Sequence, residues 1–258
     1  VSIAGKLTAS GSGLGALLTS AGTTTTQTVA EYEQTSGIVF INRGGSGTRS
    51  LTVTGNATIS GGNLHIKTQG NASAGQLTIG GNFNSVGATI TNSASASGPA
   101  NIIFNGVSAQ TVAFGTVTGA TTGFPISVTG AGGVTLNSDL SLPSTSSLTL
   151  TSGDFTIAAT RTLTFGLNNV LTVNSSRTLF VNGIFSRSGN STVTVSGTIS
   201  INNGGKYQHA HTGGAIPIAT WNTGSICEIT GSVGSGPSSG LGQSFYHVYW
   251  NSAAQNGT

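Results

Sequence analysis

The sequence predicts an all-β chain, a right-handed parallel β-helix with about 22–26 residues per coil and three short strands in each coil. Three observations predict it. A four-residue unit returns at Leu51, Leu77, Ile102, Ile126, Leu148, Leu171, Val193 and Ile216, at a nearly constant step. Its first and third residues are Leu, Ile, Val or Phe in every copy, whereas the second and fourth are mostly Thr, Ser, Asn or Gly. Strand side chains alternate faces with a period of two, so each unit has one dry and one wet face. Finally, the 258 residues include 41 Gly and only 5% charged residues, and no apolar stripe of helical period persists for three turns. A fixed step of this size marks stacked repeats, and the hand follows from the general rule for parallel crossovers.

The other two strands of each coil follow from the spacing. A second apolar point comes roughly 6 to 8 residues after most units, at Ile59, Phe83, Val134, Phe155, Leu179 and Ile199. A third comes roughly 13 to 15 residues after, at Leu64, Ile90, Val117, Leu140, Leu163, Phe185 and Tyr207. Gly, Asn and Ser corners between them give a roughly triangular coil. The coil beginning at Ile102 fits least well, with its second point late, near Val112. Residues 1–45 fit the repeat poorly and are expected to form one or more irregular N-terminal coils or a cap. Residues 46–215 form the regular coils, and residues 216–258 form aromatic-rich C-terminal coils continuous with the rod.

Charge and cysteine content exclude several classes. The eight Lys and Arg residues are scattered, so a formal net charge of +3 is no nucleic-acid footprint, which needs clustering. No apolar run approaches a membrane span. The single Cys227 forms no internal disulfide, and parity places it on the buried face of its strand with Ile229. A chain that starts at Val1 without a signal peptide is expected to be part of a longer protein.

Residues with chemical potential are few. The carboxylates are Glu31, Glu33, Asp139, Asp154 and Glu228. Glycoside hydrolysis needs two carboxyl groups facing each other across a bond. Asp139 and Asp154 are less than one coil apart and fall on different faces or corners, while Glu31 and Glu33 share a face of an irregular segment. No catalytic pair is expected. His209 and His211 alternate onto one strand face with spacing suited to two metal ligands. They need Glu228 or His247 to complete a site, so no metal or other cofactor is expected, and the histidines are read as exposed or corner residues beside Tyr207. Trp221, Tyr246, Tyr249 and Trp250 suit a sugar-stacking platform, but more simply fill the interior or close an end. The outward row Thr52/Thr54, Thr78/Gly80, Ile103/Asn105, Ser127/Thr129, Thr149/Thr151, Thr172/Asn174 and Thr194/Ser196 is Thr-rich, as on an ice-binding solenoid, yet Ile103, Asn105, Gly80 and Asn174 break it.

Four segments carry a resemblance: Tyr207 to His209, Ile216 to Asn222, Cys227 to Gly231, and Gln243 to Asn251. In the pattern Tyr-x-His, Ile-Pro-x-Ala-Thr-Trp-Asn, Cys-x-Ile-Thr-Gly and Gln-x-Phe-Tyr-x-x-x-Trp-Asn, the stretch 207–251 resembles the large secreted adhesin-like β-solenoid surface proteins of the Bacteroidetes, exported by type IX secretion. The segment Phe104-Asn-Gly-Val-Ser-Ala-Gln110 resembles a Phe-x-Gly-x-x-x-Gln turn of the same proteins. The resemblance implies an extracellular or cell-surface location and a structural or adhesive shaft within a longer chain. Surface glycans or further copies of the chain are the partners it suggests. A carbohydrate-binding module, or an ice-binding solenoid, is the alternative.

Overall fold

A computed structural model describes residues 2–16, 24–43, 47–68, 74–92, 98–119, 123–231 and 236–252. These residues form a parallel β-helix with no α-helix, and every ladder between their strands is parallel. The first face is built on the predicted units. Leu51, Leu77, Ile102, Ile126, Leu148, Leu171 and Val193 stand in one continuous register. Their partners two residues on do the same, from Val53 to Val195. All of these from Leu51 to Val173 are buried, whereas Val193 and Val195 are only half-buried. Each inward side chain stacks on its equivalents above and below, so one column of apolar residues runs along the rod and excludes water.

The first and second faces merge into one 17-stranded sheet. The long strand Thr25–Gln34 is the reason, since its first half pairs with Arg49–Val53 and its second half with Ala57–Ile59. Ser2–Ala9 pairs in turn with Thr28 to Gln34, across a bulge between Ile3 and Lys6. The described residues from 2 to 42 thus join the same ladders as the regular coils.

On the second face the register differs from the one expected. Phe83 pairs with Ala57 and with Val112, and Val112 pairs with Leu136, not Val134. Ile59 and Phe83 are therefore not equivalent points but sit two residues out of step. Val112 falls where Phe83 stacks, so the coil that looked displaced is in register. The corner that follows holds the buried Phe114, edge-on to Phe83 (5.1 Å between centroids) and to Phe104 (6.3 Å).

The third face divides. A five-stranded sheet holds Leu14–Ala16, Ile38–Asn42, Asn63–Lys67, Thr89–Asn92 and Thr116–Gly119. A six-stranded sheet holds Leu140–Leu142, Thr162–Phe165, Ile184–Arg187, Lys206–His209, Ile226–Ile229 and His247–Trp250. In the first of these a register shift beside Asn92 brings Asn42, Lys67 and Asn92 into one interior column. All three are buried, and burial lowers the Lys67 pKa. The amides of Asn42 and Asn92 donate to the Ala74 and Gly123 carbonyls at 2.9 and 2.8 Å, and so fasten successive coils.

The eighth predicted unit does not form. Ile216 is buried, but Ile218, expected to point inward, is 79% exposed. Pro217 explains this, because it has no amide hydrogen to offer the strand Thr192–Val195. Ile216 instead donates forward to the Ser239 carbonyl at 3.0 Å. The departure leaves an open hollow of about 230 Å³ beside Val195, Ile199, Ile218 and Ala219.

Candidate functional site in the aromatic C-terminal coils

The interior of the six-stranded sheet has two columns. One runs Leu140, Leu163, Phe185, Tyr207, Cys227 and Val248. The other runs Leu142, Phe165, Arg187, His209, Ile229 and Trp250. Period-two parity dictates both, since Arg187 is two residues from Phe185 and His209 two from Tyr207. A cation and an imidazole therefore occupy successive places in an otherwise apolar stack. Aromatic rings surround them. Phe165, Phe185, Tyr207, Trp221 and Phe245 form a chain of edge-on contacts, with centroids 5.4, 5.8, 6.3 and 4.7 Å apart.

A buried cation costs several kcal/mol unless its donors are satisfied. Arg187 meets this with oxygen atoms. Its Nε donates to Ser191 Oγ at 2.8 Å, one terminal nitrogen donates to the Ser191 carbonyl, and the other reaches the Ala215 carbonyl at 2.7 Å and Tyr207 Oη at 3.4 Å. The guanidinium thus pins two loops, around 191 and 215, to the core. Tyr207 Oη lies 3.1 Å from His209 Nδ1, and His209 Nε2 lies 2.7 Å from the Gly213 carbonyl. The carbonyl only accepts, so Nε2 carries the proton and Nδ1 accepts from the tyrosine. Burial above all drives the His209 pKa down to about 4, aided by Arg187 and His211 and opposed by the Gly213 carbonyl. Burial likewise pushes the Tyr207 hydroxyl and the Cys227 thiol each up to about 12.

His209 is therefore interior, not an exposed or corner residue. It does pack beside Tyr207 (6.2 Å) and also against the half-buried His211 (4.2 Å between ring centroids). Both of its nitrogens are engaged. Glu228 points outward, on the opposite face from Cys227 and Ile229, and His247 is on that outer face as well. Neither completes the histidine pair, and among the described residues no three His, Cys, Asp or Glu side chains converge on a common point.

The acidic residues are spread along the rod as coil fasteners. Asp139 accepts the Thr162 amide and Asp154 the Thr178 amide, both at 2.8 Å and both from the following coil. The two aspartates precede strands of different faces, as the spacing predicted. Glu33 pairs with Lys6, and Glu228 with Lys206 at 2.8 Å. Burial, the largest single influence on Glu228, raises its pKa. Lys206, Gln208 and Asn251 together outweigh it and hold the carboxyl below its ordinary range.

The resemblance motifs have physical content. Gln243 ties its own segment to the Ile-Pro-x-Ala-Thr-Trp-Asn segment: its Oε1 accepts from the Ala219 amide (2.9 Å) and Trp221 Nε1 (3.1 Å), and its Nε2 donates to the carbonyls of Pro217 and Gly240. Gln110 does the same in its turn, accepting the Gly106 amide at 2.9 Å and donating to the Ile79 and Gly81 carbonyls. Glycine is required at 106, where a Cβ would lie 2.5 Å from the Gly80 carbonyl oxygen and 2.7 Å from Gln110 Cδ.

Of the four aromatic residues considered for a platform, Trp221 lies within the stack, against Tyr207 and Phe245. Trp250 continues an interior column at the last described strand but is 40% exposed there. Tyr246 and Tyr249 do not fill the interior; each is 51% exposed. On the first face, the outward row is uneven. Thr78 is buried, Ile103 interrupts the column, and only Thr54, Asn105, Thr129, Thr151, Thr194 and Ser196 are exposed. No family model, no curated protein and no solved structure matches the chain.

Proposed function

We propose that this chain is a non-catalytic shaft segment of a large bacterial cell-surface or extracellular protein, a stiff spacer that holds a binding region away from its anchor. The observation that carries this reading is the use made of the polar residues. Asp139, Asp154, Gln110 and Asn169 bond backbone groups of adjacent coils or corners, and Gln243 does the same while also accepting from the Trp221 indole. Side chains committed in this way resist shear between coils, which supports a mechanical role. The surface location rests on the resemblance of residues 207–251 to adhesin-like solenoids. The test is to incubate the protein, with and without calcium, with acidic and neutral polysaccharides. No new reducing ends or unsaturated products above a boiled control are expected. Turnover abolished by changing Asp139, Asp154 or the Glu31/Glu33 pair would overturn the reading.

A further inference from the structure

The outer surface of the six-stranded sheet ends in exposed aromatic rings. Along its columns Thr164, Ser186, Gln208, Glu228 and Tyr249 are successive neighbours, as are Thr162, Ile184, Lys206, Ile226 and His247. The last strand thus adds two rings to a surface made of hydroxyl, amide and charged groups and two isoleucines. His247 and Tyr249 are exposed, with ring planes within 21° of parallel and centroids 6.0 Å apart. Tyr246 stands against His247 at 86°, 4.6 Å away. All four side chains of this last described strand are open, including Val248 and Trp250 in the interior columns, which are 45% and 40% exposed. Parity turns His247 and Tyr249 to the outer surface of the sheet, away from the interior columns that Val248 and Trp250 continue.

The strand beside the rings is polar and ordered. Glu228, next to Tyr249 in register, accepts from Lys206 Nζ at 2.8 Å and Gln208 Nε2 at 3.1 Å, and Ser186 Oγ donates to Gln208 Oε1 at 2.9 Å. The carboxylate and ammonium neutralise each other, so the patch carries no net charge to attract an ionic ligand. Exposed rings beside fixed, mutually neutralised hydrogen-bonding groups suit a ligand with alternating apolar and hydroxyl faces. A pyranose has that surface: its axial C–H groups stack on aromatic rings and its equatorial hydroxyls bond carboxylate, amide and ammonium. We propose that Tyr249 and His247, flanked by Tyr246 and by the Lys206–Gln208–Glu228 network, form a binding site for a neutral polysaccharide. This goes beyond the shaft role and does not depend on it, because a spacer and an enzyme alike could carry such a patch.

The experiment is affinity electrophoresis of the purified protein in gels containing soluble mixed-linkage β-glucan, xylan or galactomannan. At least one polymer retards the wild type. Tyr249→Ala and His247→Ala weaken that retardation at least tenfold, whereas Tyr249→Phe, which keeps the ring, stays within about threefold. Thr149→Ala, on the outer surface of the first face, leaves it unchanged. Melting temperatures confirm that each variant is folded. No retardation by any of the three polymers would overturn the proposal, as would undiminished binding by Tyr249→Ala. Equal losses for Tyr249→Phe and Tyr249→Ala would also overturn it, since stacking would then not be the basis of recognition.

Discussion

His209 makes the stability of the C-terminal coils depend on pH. The buried imidazole has a pKa of about 4, against an ordinary value of 6.5. Between those values the unfolded chain binds a proton that the folded chain does not, so stability is complete above about pH 7 and falls as the pH drops towards 4. The whole shift corresponds to roughly 3 kcal/mol, at about 1.4 kcal/mol per unit, and about 2 kcal/mol of it is lost between pH 7 and 5. The charged neighbour in the network is Arg187, with Tyr207 and His211 as the other titratable groups in contact. His211 and His65 also have pKa values lowered by burial and add to the same trend. The variant His209→Gln isolates the residue: it keeps a donor and an acceptor but does not titrate. Urea midpoints at pH 7 and 5 should show wild type losing about 2 kcal/mol more than His209→Gln over that interval. His209 Cε1–H shifts should place its titration well below pH 6. Equal losses in the two proteins, or a His209 pKa near 6.5, would refute the buried neutral tautomer.

Two further predictions concern packing and turns. Leu150 is fully buried and Thr151 is exposed, so Leu150→Asp should destabilise by several kcal/mol and Thr151→Asp by less than about 0.5 kcal/mol; similar melting-temperature losses would contradict the inward and outward assignment. Gly106→Ala should cost about 1–3 kcal/mol through its clash with the Gly80 carbonyl, and Gln110→Ala a similar amount by stranding the Gly106 amide, both measured by denaturant unfolding. Gln110→Glu, which cannot donate to the Ile79 and Gly81 carbonyls when ionised, should be no better than Gln110→Ala at neutral pH.

The first face was legible in the sequence because its units repeat with parity intact: Leu, Ile, Val and Phe at first and third places leave one orientation open. The second face was harder. Ile59 and Phe83 are the prominent apolar residues after their units, but they stand two residues apart in distance from them. The corner from Val53 to Ala57 matches that from Ile79 to Phe83, so the small Ala57 is the true partner, and a shift of two preserves parity while changing the partner. Ile218 was misplaced because its apolar side chain fits the repeat while Pro217 before it removes the ladder hydrogen bond. The buried Arg187 was within reach, since it shares parity with Phe185, but composition presents arginine as a surface residue until the Ser191 and Ala215 oxygens are seen around it. The rings of Tyr249 and His247 could be placed outward by parity from Cys227 and Ile229 only once the register of the last strand was known.

The central claim is one uninterrupted stack of coils, and spin-label distances test it most directly. Thr52, Thr78, Ile103, Ser127, Thr149, Thr172 and Thr194 are registered neighbours on the first face. Six steps of about 4.8 Å separate the first and last, which places their backbones about 29 Å apart. Nitroxides on Thr52→Cys and Thr194→Cys, with the buried Cys227 left unlabelled, report that span by pulsed dipolar spectroscopy. At that strand spacing a single narrow distribution centred at about 30 Å is predicted, and a broad distribution, or one centred beyond about 40 Å, would contradict the stack.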